Sequence, residues 1–428
     1  LKVDMNKMVA CANGAPFPIA PRQDNQSFRP QQPNAGAEEH PDGIPALTSE
    51  SDSEDEDDAS QTSAMAEQHM AEAKIRAYLE RIGPPNGPKG YKLSDIDINP
   101  DLPPDVIKRI HSILNEFQDV FADSDSLPPA CNPNEPHIIE LKQGFKTRFI
   151  PKPRWTPAYK EVCSRYGAAE LASGGAVYAE NNNAWASNLV IAPKAGPEGP
   201  HDPNFEARVC GNYPPVNGET IKMATCVPNM QDEIRRHRTS KYFIDADALK
   251  AYRQVLLELE SRKYLAYWTP QGLLVPTRLP FGAMNAGTVL QRYTSRIPPD
   301  MAKHRLTTGA TCDTGTRMSV YADDFRGGAP GTETLILVLE ELLKSCRKHG
   351  ITLKPTKTRI GYPETIFLGH LIKAGMTGIS HHNLAPVRVM KSPTDVPSLR
   401  RVPGIFVHSR TLIKDFPPPM KPLNRPTV

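Results

Sequence analysis

Apolar residues recur along this chain with two different periods. From Pro104 to Phe121, Val106, Ile110, Ile113, Leu114 and Phe117 fall on one stripe at helical spacing, which predicts an amphipathic packing helix. Another helix is expected over Ala64–Ile82, closed by Gly83 and Pro84. From His137 onward the text becomes more regular, and the folded core is expected to start there. Lys241–Asp247 predicts a strand leading into a helix, and Ser319–Phe325 a strand pair around a turn at Ala322 and Asp323. Thr332–His349 predicts a helix that Thr332 can cap, with Leu335, Leu339, Leu342 and Cys346 on one face. Gly350 supplies the left-handed residue at its end, and Thr365–Ile372 returns to strand. No internal repeat is present. This succession predicts an α+β fold, an antiparallel sheet backed by helices.

Composition divides the chain. Its 428 residues include 44 prolines, about double ordinary usage, which argues against a helical bundle throughout. Ala15–Pro45 is Pro-rich, and seven acids crowd between Glu50 and Asp58, so residues 1–62 are expected to be disordered. The net charge is +3, which leaves +10 on the rest and suits a polyanionic partner, although a solvated basic surface explains the charge equally well. Pro128, Pro129, Pro133 and Pro136 predict a linker, so 63–136 reads as a helical segment and linker. Seven scattered cysteines with no Cys-x-x-Cys argue against a disulfide framework or structural zinc site. The text holds no signal peptide and no membrane span, which points to the cytoplasm or nucleus. The first residue is Leu, as expected of a piece of something longer.

The sharpest chemical feature is Tyr321-Ala322-Asp323-Asp324. Adjacent carboxylates repel unless cations neutralise them, and hard divalent metals are the usual remedy. A polar turn is the plain alternative. Tyr242-Phe243-Ile244-Asp245-Ala246-Asp247 offers two further acids on one strand face. An acid from each strand could hold two metal ions about 3.5–4 Å apart, the arrangement of in-line phosphoryl displacement.

Six segments, in order, resemble the boxes of reverse transcriptases, with the flavour of the gypsy-type (Metaviridae) LTR retrotransposon Pol polyprotein. Tyr321–Asp324 resembles the Tyr-x-Asp-Asp box. Asp247–Gln254 resembles Asp-Leu-Lys-x-Gly-Tyr-His-Gln, and Leu279–Ala286 with Gln291-Arg292 resembles the Pro-Phe-Gly box. Ile366–His370 is similar to the Phe-Leu-Gly-His primer-grip hairpin. Upstream, Trp185–Lys194 and Arg208–Asn217 resemble two fingers boxes. The match runs from about His137 to Phe416.

The resemblance implies a right-hand polymerase: fingers with the start of the palm at 137–240, palm at 241–372, and a truncated thumb and start of the connection at 373–428. It implies an RNA-directed DNA polymerase, a nucleotidyltransferase taking an RNA or DNA template with primer and deoxynucleoside triphosphates, with no membrane partner. The aromatic five residues on, Tyr252, makes Asp247 rather than Asp245 the ligand. Asp247, Asp323 and Asp324 are then the catalytic acids. Asp247, Asp323 and the Ala248 carbonyl would bind two Mg²⁺, with Mn²⁺ as a substitute. Arg208 and Lys194 would hold the triphosphate and Tyr252 would stack under the sugar. Phe281 and Gly282 would line the nucleotide pocket, and Lys357 would protonate pyrophosphate. Leu368, Gly369 and His370 would seat the primer end. Virus-like particles would be a further location.

Departures from the pattern predict local weakness. Asn212-Tyr213-Pro214 replaces Asp-Tyr-Arg, and Phe325-Arg326-Gly327-Gly328 replaces an apolar strand. Pro298-Pro299 interrupts the helix after Arg292, and Pro403 falls in the thumb. They are expected of a degenerate copy that binds nucleic acid without polymerising. Asp313-Thr314-Gly315 spells an aspartic-protease signature, but its polar surroundings predict a loop.

Overall fold

The computed structural model describes Ala73, Arg76 and residues 92–122, 127–194, 206–224, 227–381, 383–384 and 412, with backbone alone for Pro193, Lys194, Glu206 and Ala207. The acidic and Pro-rich segment 1–62, Pro403 and nearly all of the expected thumb lie outside the described residues. So does the expected helix 64–82, apart from Ala73 and Arg76, which are both helical.

In chain order the strands are β1 (Asp97–Ile98), β2 (Ala176–Tyr178), β3 (Asn188–Lys194), β4 (Glu206–Asn212), β5 (Tyr242–Asp247), β6 (Tyr267–Thr269), β7 (Gly272–Pro276), β8 (Lys303–Arg305), β9 (Thr311–Asp313), β10 (Met318–Tyr321), β11 (Asp324–Ala329), β12 (Arg359–Tyr362), β13 (Glu364–Phe367), β14 (His370–Lys373) and β15 (Met376–Ile379). The helices that matter below are α1 (Pro104–Glu116), α2 (Pro157–Ala172), α3 (Pro214–Glu219), α4 (Met230–Arg236), α5 (Ala286–Thr294), α6 (Ile297–Asp300) and α7 (Thr332–His349).

The central sheet runs β1-β12-β5-β11-β10. Its inner three pairings are antiparallel, and only β1 joins in parallel. Ile244, Ala246, Val320, Phe325 and Ile360 pack one face against α1 and α7 in a single apolar core. α7 is amphipathic over the residues its spacing predicts, and Gly350 ends it at φ +66°. Thr332 is its first helical residue rather than its cap; Gly331 takes that place without a side-chain bond.

Residues 92–122 correct the expectation that the core begins near His137. β1 extends the central sheet, and Leu102, Val106, Ile110, Leu114 and Phe117 are buried in the same core as α7. The proline-rich stretch is likewise no free linker. Its backbone bonds along 254–258, through Cys131 N–H to the Gln254 carbonyl (2.8 Å) and His137 N–H to the Leu256 carbonyl (2.8 Å).

The departures also read differently once folded. Pro214 is the first residue of α3, where a missing N–H costs nothing. Pro298 and Pro299 do break the helix: α5 stops at Thr294 and α6 restarts at Ile297. β11 forms in full despite its glycines, and both stand in crowded places, Gly328 more than Gly327. A Cβ on Gly328 would stand 2.3 Å from Ser240 Oγ and 2.5 Å from His237 Nδ1. One on Gly327 would crowd Val338, Ile244 and Met318 at 3.1–3.2 Å.

β3 and β4 form a hairpin, and β2-β7-β6 a small sheet, over a separate cluster of Val162, Leu189, Ile191, Tyr267 and Leu274. α2 is tied to the Asp247–Gln254 segment by a buried ion pair between Arg253 and Glu170, and Arg253 also donates to the Gly175 carbonyl (3.0 Å). Among the described residues all five cysteines are free, and no helix is long and apolar enough to cross a membrane.

Candidate active site

The sheet brings the acids together by register. β11 pairs with β5 so that Asp324 stands opposite Asp247, and Arg326 opposite Asp245. Asp323 occupies the turn between β10 and β11, and its carbonyl accepts the Ala248 N–H at 2.9 Å. Burial and the neighbouring Asp247 charge hold the Asp323 carboxyl above the usual carboxylate range. The predicted ligands are thus two carboxylates and a backbone carbonyl. No group of three or more His, Cys, Asp or Glu side chains is gathered as a metal cluster among the described residues. This oxygen-only donor set suits a hard divalent cation, and such a cation would relieve the penalty on Asp323.

The turn itself is held in an uncommon conformation, with Ala322 at φ +53°. Gln291, buried on α5, fixes it: its Oε1 accepts the Ala322 N–H at 2.7 Å and its Nε2 donates to the Val320 carbonyl at 3.2 Å. The other side is braced by Gln254. That buried amide donates to the Leu249 and Thr352 carbonyls (2.7 and 2.8 Å) and accepts the Thr352 N–H (2.9 Å). Both glutamines lie within the quoted boxes, but their bracing roles are not legible there, because burial and the partners Ala322, Val320, Leu249 and Thr352 appear only in the fold.

Asp245 is engaged by neighbouring side chains within the fold. Thr365 Oγ1 donates to it at 2.5 Å, and Arg326 and Arg359 approach at 3.4 Å each. Burial nevertheless raises its pKa, against the pull of those partners. Asp247 is instead contacted by Lys357, whose Nζ lies 2.5 Å from Oδ2.

The nucleotide-binding candidates converge in part. Tyr252 and Phe281 meet edge to face with centroids 4.8 Å apart, and the Arg208 guanidinium stands 6.0 Å from the Phe281 ring centroid. Asp323 is near enough to Tyr252 for its charge, after burial, to raise the phenol pKa. Gly282 has φ +95°, and a Cβ there would be 2.0 Å from the Gly211 carbonyl oxygen. Asn217 locks that loop by donating to the Gly282 carbonyl and accepting the Met284 N–H. Lys194 ends β3 opposite Glu206, beyond the Ala192–Arg208 pair, and its backbone alone is described. Leu368 and Gly369 form the tight turn of the β13–β14 hairpin, both at positive φ, and His370 begins β14, buried. Asp313 lies on the β8–β9 hairpin, a two-stranded sheet separate from the central one, 3.2 Å from Lys303 Nζ.

Residues 200–372 match the family model described as reverse transcriptase (RNA-dependent DNA polymerase). The enzymatic polyprotein of cauliflower mosaic virus (strain CM-1841) is 28% identical over 217 residues, half of this chain and 30% of that polyprotein. The retrovirus-related Pol polyprotein from transposon opus of Drosophila melanogaster is 24% identical over 345 residues, 78% of this chain and 32% of its own length. The chain therefore spans about a third of the length of these relatives. The foamy viral protease-reverse transcriptase, solved with an RNA/DNA hybrid, superposes with a TM-score of 0.63 at 16% identity, covering 80% of this chain and 43% of that one. The same enzyme's dRH form with double-stranded DNA gives 0.64, covering 77% and 53%. The fold is that of the right-hand polymerases, and the reverse transcriptase match falls on residues 200–372, which hold the acids described above.

Proposed function

We propose that this chain is the RNA-directed DNA polymerase part of a gypsy-type LTR retrotransposon polyprotein, adding deoxynucleotides to a primer 3′-hydroxyl on an RNA or DNA template. The observation that carries this reading is the register of β5 against β11, which faces Asp247 with Asp324 and sets Asp323 at the turn beside them. The division into fingers (137–240), palm (241–372) and thumb (373–428) rests on the resemblance; 92–122 packs with the palm, and the cluster of Val162, Leu189 and Ile191 takes in Tyr267 and Leu274 from beyond residue 240.

Asp247, Asp323 and the Ala248 carbonyl are the groups that would hold Mg²⁺, or Mn²⁺ in its place. Bound there, the two ions would supply a lowered pKa for the primer hydroxyl and charge neutralisation on the triphosphate. Arg208, on β4, is exposed and free to swing a planar guanidinium onto phosphate, with Lys194 on the paired strand. Tyr252 offers a ring face for the sugar and narrows the space for a 2′-hydroxyl. Phe281 and Gly282 line the same pocket, Gly282 because backbone passes too close for a side chain. Lys357 is the proton donor to the leaving pyrophosphate. The turn at Leu368 and Gly369, with His370, seats the primer end. A channel around an A-form hybrid would be read by shape and backbone.

The second reading is a copy that binds nucleic acid without polymerising. Arg326, which stands 3.5 Å from Asp324 Oδ1 where an apolar residue is expected, favours it. The glycines of β11 do not, since they fit the packing. Extension of a labelled DNA primer on an RNA template by the full chain, with Mg²⁺ and deoxynucleotides, decides between them. Metal-dependent synthesis lost in Asp323→Asn, with template–primer affinity kept, supports the polymerase. Hybrid binding without extension by the unaltered chain supports the second reading.

A further inference from the structure

Arg326 touches three parts of the site's support at once. It lies two residues beyond Asp324 on the same strand, and its side chain is only 13% exposed. Its Nε reaches Asp245 Oδ1 at 3.4 Å, and its Nη2 reaches Asp324 Oδ1 at 3.5 Å. Nη1 donates to the Phe325 carbonyl at 2.8 Å and, more weakly, to the Ala246 carbonyl at 3.4 Å. On its outer side the guanidinium donates to the Ile366 carbonyl of β13 at 3.4 Å and stands 5.5 Å from the Phe367 ring centroid.

The counter-charge is placed with equal economy. Asp245 sits in the middle of the sheet, opposite Arg326 on β11 and Arg359 on β12. Its remaining contact, Thr365 Oγ1, comes from β13. The β13–β14 hairpin is therefore fastened to β5 and β11 from both members of the pair, through Thr365 to Asp245 and through Ile366 and Phe367 to Arg326. A buried charge needs compensation; Asp245 draws it from Arg326 and Arg359, and Arg326 from Asp245 and Asp324.

We propose that Arg326, with Asp245 as its buried partner, is a positioning residue: it fastens the hairpin bearing Leu368, Gly369 and His370 to the strand bearing Asp324, so that the seat for the primer end and the catalytic turn move as one body. This rests on the polymerase reading for its purpose, but the fastening itself is a property of the fold. The arginine that stands on this strand is then matched by a buried carboxylate in register with it. A buried ion pair adds little net stability over well-packed apolar residues, so a double apolar exchange separates positioning from folding.

The test compares the full chain with Arg326→Leu and with the double variant Asp245→Leu/Arg326→Leu. Two readouts are taken, amide hydrogen exchange across 364–373 and single-turnover incorporation at saturating hybrid and nucleotide. The double variant is expected to melt within a few degrees of the parent. Its hairpin amides are expected to exchange at least tenfold faster while α7 is unchanged, and incorporation is expected to slow at least tenfold with hybrid affinity within twofold. Parental exchange across the hairpin in a double variant of parental melting temperature overturns the proposal, whatever the activity. Faster exchange with parental incorporation overturns the positioning role. If the unaltered chain incorporates nothing, the polymerase reading fails on its own, and the exchange data still decide the fastening. If only the single variant folds poorly, the double variant carries the result.

Discussion

Lys357 Nζ lies 2.5 Å from Asp247 Oδ2, on the carboxylate that faces Asp324 across the sheet. The ammonium takes the place beside Asp247 that a divalent cation would fill, and like charges so close compete. Lys357→Ala is therefore expected to tighten Mg²⁺ or Mn²⁺ binding to the nucleic-acid-free chain severalfold while slowing nucleotide addition. Calorimetric metal titration alongside primer extension checks both; weaker metal binding in the variant would contradict the arrangement.

Asp323 is held uncharged to a higher pH than an ordinary carboxyl, by burial first and then by Asp247. The folded state keeps that proton more tightly than the unfolded chain. The metal-free protein therefore gains stability from this group as pH falls through its raised pKa, and bears a penalty at neutral pH. Asp323→Asn is expected to raise the melting temperature of the metal-free chain near pH 7 and to abolish extension. Metal binding to the unaltered chain is expected to weaken on acidification beginning at a pH above that of an ordinary aspartate, since the cation must displace the proton on Asp323. A thermal melt and a metal titration across pH test the two halves separately.

His237 behaves oppositely. It is fully buried beneath β11, with Nε2 2.8 Å from Ser319 Oγ, and burial lowers its pKa from 6.5 to about 3. The unfolded chain takes up this proton first. Stability from the neutral ring is present above pH 6.5 and drains away as pH falls toward 3. Denaturant melts from pH 7 to 4 are expected to show that slope, and His237→Asn is expected to flatten it.

Gly328 has no room for a methyl group. Gly328→Ala is expected to cost on the order of 1–3 kcal/mol through overpacking against His237 and Ser240. Chemical denaturation measures it. A neutral result would mean that β11 can shift at that point, and would return the glycine to the status of a chance departure.

Removing residues 1–136 would strip β1 and α1 from the palm and bare the face of α7 that they cover. Such a chain is expected to lose its cooperative thermal transition and to bind a hydrophobic dye. A sharp parental melt would show that 92–122 is dispensable to the core.

Much of this was legible because it is local. The stripe from Val106 to Phe117, the span of α7 with Gly350 at its end, and the strand–turn–strand around Asp323 each follow from period and turn chemistry within one segment. The six boxes fixed the order of the site's parts, since a box is a contiguous run. The resemblance singles out Asp247 over Asp245; in the sheet Asp324 faces Asp247 and Arg326 faces Asp245.

What stayed hidden depends on pairs far apart in sequence. A two-residue strand such as β1 has too few positions to show a period, and only β12 gives it a place. Gly327 and Gly328 looked like erosion because a glycine's reason lies in what stands opposite, here Val338, His237 and Ser240. Arg326 looked like a misplaced charge until Asp245, 81 positions earlier, appeared as its partner in register. The sequence determined which residues make strands, helices and acids; tertiary structure decided which of them are neighbours, because burial, register and charge compensation are properties of contacts and not of a linear text.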